Sequence, residues 1–400
     1  MISANFKNSI IYLFICLSFW SCTETSAGSF TMVLSGSVHG QLDPCGWKKN
    51  PLGGLSRRIV KINEIKENGI DPLILDAGDI FFSSSNINDV NRKSEMFRAQ
   101  SIIDGYDRIG CDAINTGHYE LLNGLKFFRD IEERTDIPFI SSNLIDSKTE
   151  ELLLKPYVTF QKDGLEIGVI GVTDNLPDTS KQILADDYIE AGNKYIDLIS
   201  KKVDIVVLLV NCDRGKQSSL ATDFPNADFI VTSGSTNMTR ANTPQEKNGP
   251  QVYSCGKQGK YLVTLDIELK DKNKPFIDVS AEEKKLKQIS KRFERLQKKD
   301  PSKTLVDLYA DQSNVLKLIE GYKKDELISK NLIENSVNKL KYKTIGLSRK
   351  IKDDPEMLNF VNSSIETCAL LKPKSKNKNI LKNQVKKTPH DHSSHDGHNH

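Results

Sequence analysis

"SGSVHGQLDPCGW", residues 35 to 47, follows the apolar run FTMVL and takes the chain from a strand into a polar loop. His39 and Gly40 suit a turn that holds a metal ion at the end of a buried strand. Ser37, two places earlier, does not. A carboxylate would be wanted there, to offset part of the charge that metal ions bring to the site. The stretch is therefore either a working site with one substitution or a site that has stopped working.

From Phe30 to about Lys270, short β-branched runs alternate with amphipathic helical stretches. FTMVLS, PLILDAG, DAINT, PFISS, LEIGVIGVT, DIVVLLV, DFIVTS and YLVTLDIEL read as strands. Residues 55–66 and 191–201 read as helices, the first with Leu55, Ile59, Ile62 and Ile65 on one stripe. Asp163-Gly164 sits between two strand-like runs and predicts a hairpin turn. Alternating elements with a hairpin among them imply a layered α/β sandwich with mixed sheets.

Past Pro275 the pattern turns helical. Ser280 with Glu283 reads as a capping box before Leu286, Ile289, Phe293 and Leu296, and helical pattern runs from Leu305 to Leu340. Asp354-Pro355 opens a last helix bearing Met357, Val361, Ile365 and Cys368. The expected division is a leader at 1–22, a tether at 23–29, the sandwich at 30–275, a helical region at 276–371 and a tail at 372–400.

The ends carry other information. Lys7 precedes the apolar run IIYLFICLSFW, too short to span a membrane but suited to a signal-peptide core. Ser21-Cys22 then reads as a lipoprotein signal, with Cys22 lipidated and the protein anchored in a bacterial cell envelope; plain secretion is the alternative. The stretch 372–387 is rich in lysine and asparagine and predicts a disordered tail, which lysines would let touch anionic lipid. The formal net charge of +3 in 400 residues leaves the body without a nucleic-acid footprint.

Four strand ends carry polar residues in a telling order: Ser37-Val38-His39-Gly40, Asp76-Ala77-Gly78-Asp79, Gly117-His118-Tyr119-Glu120 and Ser233-Gly234-Ser235-Thr236-Asn237. With LGGLSRR at 52–58, ISSNL and IGVIGVTD, this series resembles the calcineurin-like metallophosphoesterases, above all the N-terminal domains of bacterial 5'-nucleotidases. The resemblance covers about Phe30 to Leu269. It implies a four-layer αββα metallophosphoesterase-type sandwich, here followed by a small all-α C-terminal region. It also implies two divalent metals that generate hydroxide and clamp a phosphate.

Carried over position by position, most of that metal site fails. His39 and Asp79 match, whereas Ser37 replaces the first carboxylate. His118 replaces an asparagine ligand and Tyr119 the histidine that protonates the leaving group. Asn211 takes the place of a later histidine, and Ser235 and Asn237 the places of the final histidine pair. A count agrees: five of the seven histidines lie in the last eleven residues, so only His39 and His118 remain in the body. Two dications about 3.5 Å apart repel by roughly 20 kcal/mol at an effective dielectric near 20. Ser37 contributes nothing against that repulsion. Two metals are not expected.

Three narrower readings remain, each beside a plainer one. His39, Asp79 and His118 could hold one divalent transition metal (zinc, manganese or iron), with His118 or Tyr119 in a residual catalytic role, or they are hydrogen-bonded remnants. An unperturbed phenol, near pKa ~10, makes Tyr119 a poor acid. Cys45, Cys212 and Cys255 could form a thiolate metal or redox site, or two of them a disulfide. His390, His392, His395, His398 and His400 could chelate metal ions, or form a solvated tail. Three function classes follow: an anchored, phosphoesterase-like protein acting in binding or metal handling, a residual single-metal phosphoesterase, or a thiolate accessory protein. The nucleotide-specificity domain usual in the family is not recognisable in 276–400, so no nucleoside substrate is named.

Overall fold

The computed structural model describes residues 27–372 apart from 47–48, 179–180, 236, 241–242, 244 and 246–248. The leader with Cys22, most of the tether and the histidine tail lie outside the described residues. The strands are β1 (Gly28–Ser35), β2 (Leu73–Asp76), β3 (Ala113–Asn115), β4 (Phe139–Ile140), β5 (Leu144–Asp146), β6 (Tyr157–Lys162), β7 (Leu165–Thr173), β8 (Ile183–Ala185), β9 (Ile205–Asn211), β10 (Phe229–Ser233), β11 (Gln251–Ser254), β12 (Tyr261–Leu269), β13 (Phe276–Asp278) and β14 (Asn338–Gly346). The α-helices are α1 (Leu55–Glu67), α2 (Arg92–Ile109), α3 (Gly124–Glu132), α4 (Tyr188–Ile199), α5 (Leu220–Asp223), α6 (Ser280–Gln297), α7 (Leu305–Leu308), α8 (Ser313–Asn335) and α9 (Pro355–Leu370).

Two mixed sheets stack face to face. One runs β13-β14-β12-β1-β2-β3-β4, the other β11-β10-β9-β7-β6, and β5 with β8 forms a small ribbon. Side-chain alternation sorts the core. Met32 and Leu34 of β1 meet Ile167 and Val169 of β7 between the sheets, while Val33 turns outward to the layer of α1, α2 and α9. On the far side Ile170 and Val172 pack with Ile196, Ile199 and Phe224 of the α4–α5 side. Helices, sheet, sheet and helices make the four layers that the sequence predicts. The Asp163-Gly164 turn is also as expected: Lys162 pairs with Leu165, and both turn residues have positive φ, 47° and 76°, the geometry of a type I′ hairpin.

The region after Pro275 is mostly helical, as expected, but not all-α. β14 runs antiparallel to β12 from Lys339 to Gly346, and β13 pairs with β14. Leu340, placed by sequence in a helix, is instead a fully buried sheet residue. α9 starts at Pro355 with Asp354 Oδ1 accepting Met357 N–H, as the sequence predicts, and Met357 and Val361 complete the core over α1 and α2. Arg57 of α1 pairs with Asp353 and donates to Leu347 O. So β14 and α9 are built into the sandwich. The capping box does not form: Ser280 lies inside α6 with no side-chain cap, and its Oγ accepts Tyr342 N–H.

Candidate functional site

Register brings the strand ends together. Ser35 pairs with Asp76 in one sheet, and Thr173, Asn211 and Ser233 lie side by side in the other. The loops leaving β1 and β2 then zip to each other: Ser37 N–H donates to Gly78 O and His39 N–H to Asp79 O, both at 2.9 Å. Ser37, His39 and Asp79 have φ of 52°, 51° and 60°, a left-handed conformation that costs a non-glycine residue about 1–3 kcal/mol. Strain of this kind persists only where the surroundings over-determine it. The rim keeps a special backbone shape.

What fills that shape is a hydrogen-bonded network. Ser37 Oγ, buried, accepts Gly234 N–H at 3.1 Å. Asn211 Oδ1 accepts His118 N–H at 3.1 Å, and its Nδ2 donates to Ser233 Oγ at 2.7 Å. Ser233 in turn donates to Ala77 O at 2.6 Å. Asp79 Oδ1 accepts Tyr119 N–H at 3.0 Å. A Cβ at Gly117 would stand 2.7–2.8 Å from Asn211 and Asp79, so glycine is required for their approach. Below them Glu120 accepts N–H from Asp79 and Gly117 on one oxygen and from Ile80 on the other. Burial, then the Asp79 charge, pushes the Glu120 carboxyl up to about 8. Ser37 with Gly234, and Asn211 with the His118 backbone, thus tie the two sheets to each other.

The donor set does not fit a dinuclear centre, and it does not close around one ion either. Among the described residues no three of His, Cys, Asp and Glu are placed to share a metal, so His39, Asp79 and His118 are neighbours rather than a chelate. Tyr119 stands against His39, with ring centroids 4.4 Å apart, and 5.9 Å from His118. Burial, then Asp79, raises the Tyr119 phenol further, which weakens it as an acid. Burial lowers the His39 pKa against the pull of Asp79, and its Nδ1 is buried without a hydrogen-bond partner. Ser235 is buried and accepts Asn237 N–H. Asn237 lines a separate cavity of about 460 Å³ with Arg214, Gln217 and Thr232.

The cysteines do not assemble. Cys255 packs between the sheets, Cys212 lies under α4 and α5 on the other face, and Cys45 sits in a loop bridged to Leu52. All three are free thiols, so the disulfide expected as the alternative is absent too. Burial pushes Cys212 up to about 12 and Cys255 higher still, far from the thiolate that metal or redox chemistry needs.

At the rim loop that follows Cys255, the sequence singled out the thiol but not Lys257 or Gln258. The loop 256–260 folds over the end of β1, with Gln258 N–H donating to Ser37 O at 2.8 Å. Lys257 is close enough for its charge to lower the His39 pKa. The spacing of Gly256 and Gly259, both at positive φ, was the signal for a tight loop here.

Comparison with known proteins places this geometry. The chain is 34% identical over 119 residues to a 5'-nucleotidase of Vibrio parahaemolyticus, covering 30% of this chain and 20% of that protein. It is 25% identical over 245 residues to the 5'-nucleotidase of Vibrio vulnificus, 52% of this chain and 43% of the relative. The matched part is thus less than half of either relative. A 5'-nucleotidase precursor from Thermus thermophilus superposes with TM-score 0.61 at 16% identity, over 86% of this chain and 59% of that one. The calcineurin-like phosphoesterase YfkN of Bacillus subtilis does so with TM-score 0.57 at 16% identity, over 87% and 100%. No family model matches the chain.

Proposed function

We propose that this chain, related in sequence to the 5'-nucleotidases and built on the calcineurin-like metallophosphoesterase fold, is a member that has given up two-metal hydrolysis for a binding role. One observation carries this reading. The side chains of Ser37 and Asn211, at positions where the family binds metal, are engaged with the opposite rim or with backbone N–H groups. These bonds take one of the two lone pairs on each oxygen and aim both side chains across the rim. In this reading the protein is exported, lipidated at Cys22 and held at the bacterial envelope, where the C-terminal histidines take up metal ions. Protein lacking residues 389–400 is then expected to carry no stoichiometric metal and to leave a generic phosphomonoester intact in manganese. Brisk turnover with two tightly bound ions would overturn it.

A second reading is favoured by the unpartnered Nδ1 of His39: one ion held by His39, Asp79 and His118 after local rearrangement, with residual phosphoesterase activity. It requires one equivalent of metal in the tail-less protein that His39→Ala removes. The same metal analysis separates the two.

A further inference from the structure

Helix α6 is packed on one side only. Ile289 is buried, and Phe293 meets Tyr322 of α8 edge to face with ring centroids 6.0 Å apart. The opposite side carries Lys284, Lys287, Lys291, Arg295 and Lys298, spaced 3, 4, 4 and 3 residues apart and all exposed. At the helical rise this is one straight stripe of cations about 21 Å long. The cations beside it have partners within the chain: Lys285 pairs with Asp325 at 3.3 Å, Arg292 lies over the Tyr322 ring and Lys299 over the Tyr309 ring. The five in the stripe have no ion pair among the described residues. Glu294 is the single acid between residues 284 and 299, and it accepts a hydrogen bond from Ser290. Like charges three and four positions apart repel along a helix, so the stripe weakens α6 until an anionic surface neutralises it.

Chain geometry says which anionic surface. Gly28 pairs with Leu269, Glu268 with Lys339, and Asn338 with Phe276. So β1, β13, which leads into α6, and β14, which follows α8, all start at one end of the sheet, the end opposite the rim. Six residues link Cys22 to Gly28, a span of at most about 20 Å. A lipid on Cys22 holds this end, and the hairpin rooted there, beside a bilayer. The apolar side of α6 packs on α8, so the contact is made with headgroups and without insertion. Phe293, the one aromatic residue of α6, is turned inward, so the stripe offers nothing to stack on a nucleic-acid base.

We propose that the basic stripe on residues 284–298 lies against anionic phospholipid headgroups of the membrane that carries the Cys22 lipid. This inference rests on the reading of the chain as an anchored envelope protein.

Labelling of the full chain with an amine-reactive reagent, read by mass spectrometry, tests this on vesicles of pure phosphatidylcholine and of an equal mixture with phosphatidylglycerol. Lys284, Lys287, Lys291 and Lys298 are expected to label severalfold more slowly on the anionic vesicles, and to lose that protection in high salt. In a Cys22→Ser background, which removes the lipid, Lys287→Glu with Lys291→Glu is expected to weaken binding to the anionic vesicles by roughly tenfold or more, with circular dichroism unchanged. Protection of these lysines on anionic vesicles, in a chain that ignores neutral ones, would remove the anchor and leave the α6 contact standing. Tight binding to both vesicles with equal labelling would leave the anchor and overturn the contact. Undiminished binding of the charge-reversed variant would overturn it too, as would a duplex oligonucleotide that protects these lysines where anionic vesicles do not.

Discussion

The sheet rim and the α6–α8 hairpin stand at opposite extremes. At the rim, residues from both sheets are buried, held at positive φ and bonded to one another across nearly the whole domain: Ser37 and Gly234 are 197 positions apart. In the hairpin, contacts are mainly between two neighbouring helices, few residues are buried, and leucines and isoleucines face water. The contrast teaches where long-range contacts hold this molecule together. The rim's shape rests on side chains that satisfy the hydrogen bonds it demands. The hairpin is tied to the sandwich more sparsely, by bonds such as Tyr342 N–H to Ser280 Oγ and the Lys341–Glu283 ion pair.

The largest effect that would sharpen this contrast concerns β14, which lies beyond the hairpin in sequence yet inside the sandwich in space. Leu340→Ala is expected to cost about 2–5 kcal/mol in urea unfolding, the price of a cavity in a closed core. An effect near zero would mean that β14 belongs with the hairpin. Next comes Asn211→Ala, which strands His118 N–H and is expected to cost about 1–3 kcal/mol. Under the proposed function its melting temperature, like that of the wild type, should not respond to EDTA.

Acid titration probes the sandwich in a different way. Burial pushes the Asp228 carboxyl up to about 6, against the hydrogen bond from Val206 N–H, from an ordinary value of 3.8. Between those values the native state holds a proton that the unfolded chain has released. Stability therefore falls as pH rises from about 4 to 6, by at most about 1.4 kcal/mol per pH unit from this group. Asp228→Asn should flatten that slope in melting curves taken across the window. The smallest effect belongs to the hairpin: Ile328→Ala, at a site 51% exposed, should change stability by no more than about 0.5 kcal/mol. A larger loss would show that the face is already covered within the chain.

Two long strands could be read from the sequence residue for residue: β7 from the nearly continuous apolar run LEIGVIGVT, and β12 from YLVTLDIEL, where Leu265, Ile267 and Leu269 alternate with Asp266 and Glu268. The Asp-Gly turn was readable because two left-handed residues in succession leave few choices. β14 was not recognised, although NKLKYKTIG alternates Leu340 and Tyr342 with Lys339, Lys341 and Lys343. That period of two was short and followed a long helical run. The capping box failed for a related reason: Ser280 bonds Tyr342, 62 positions away, so a local motif yielded to a distant partner.

By itself the sequence determined the layers of this protein and the poverty of its metal donors, because periodicity and residue counts are properties of the chain alone. Tertiary structure alone decided that Ser37 meets Gly234 and Asn211 meets the backbone of His118 across the two sheets, and that Cys45, Cys212 and Cys255 stay apart. The physical reason is that a hydrogen bond or a metal bond acts over about 3 Å, a distance that only the pairing of two sheets sets for residues scattered along the chain.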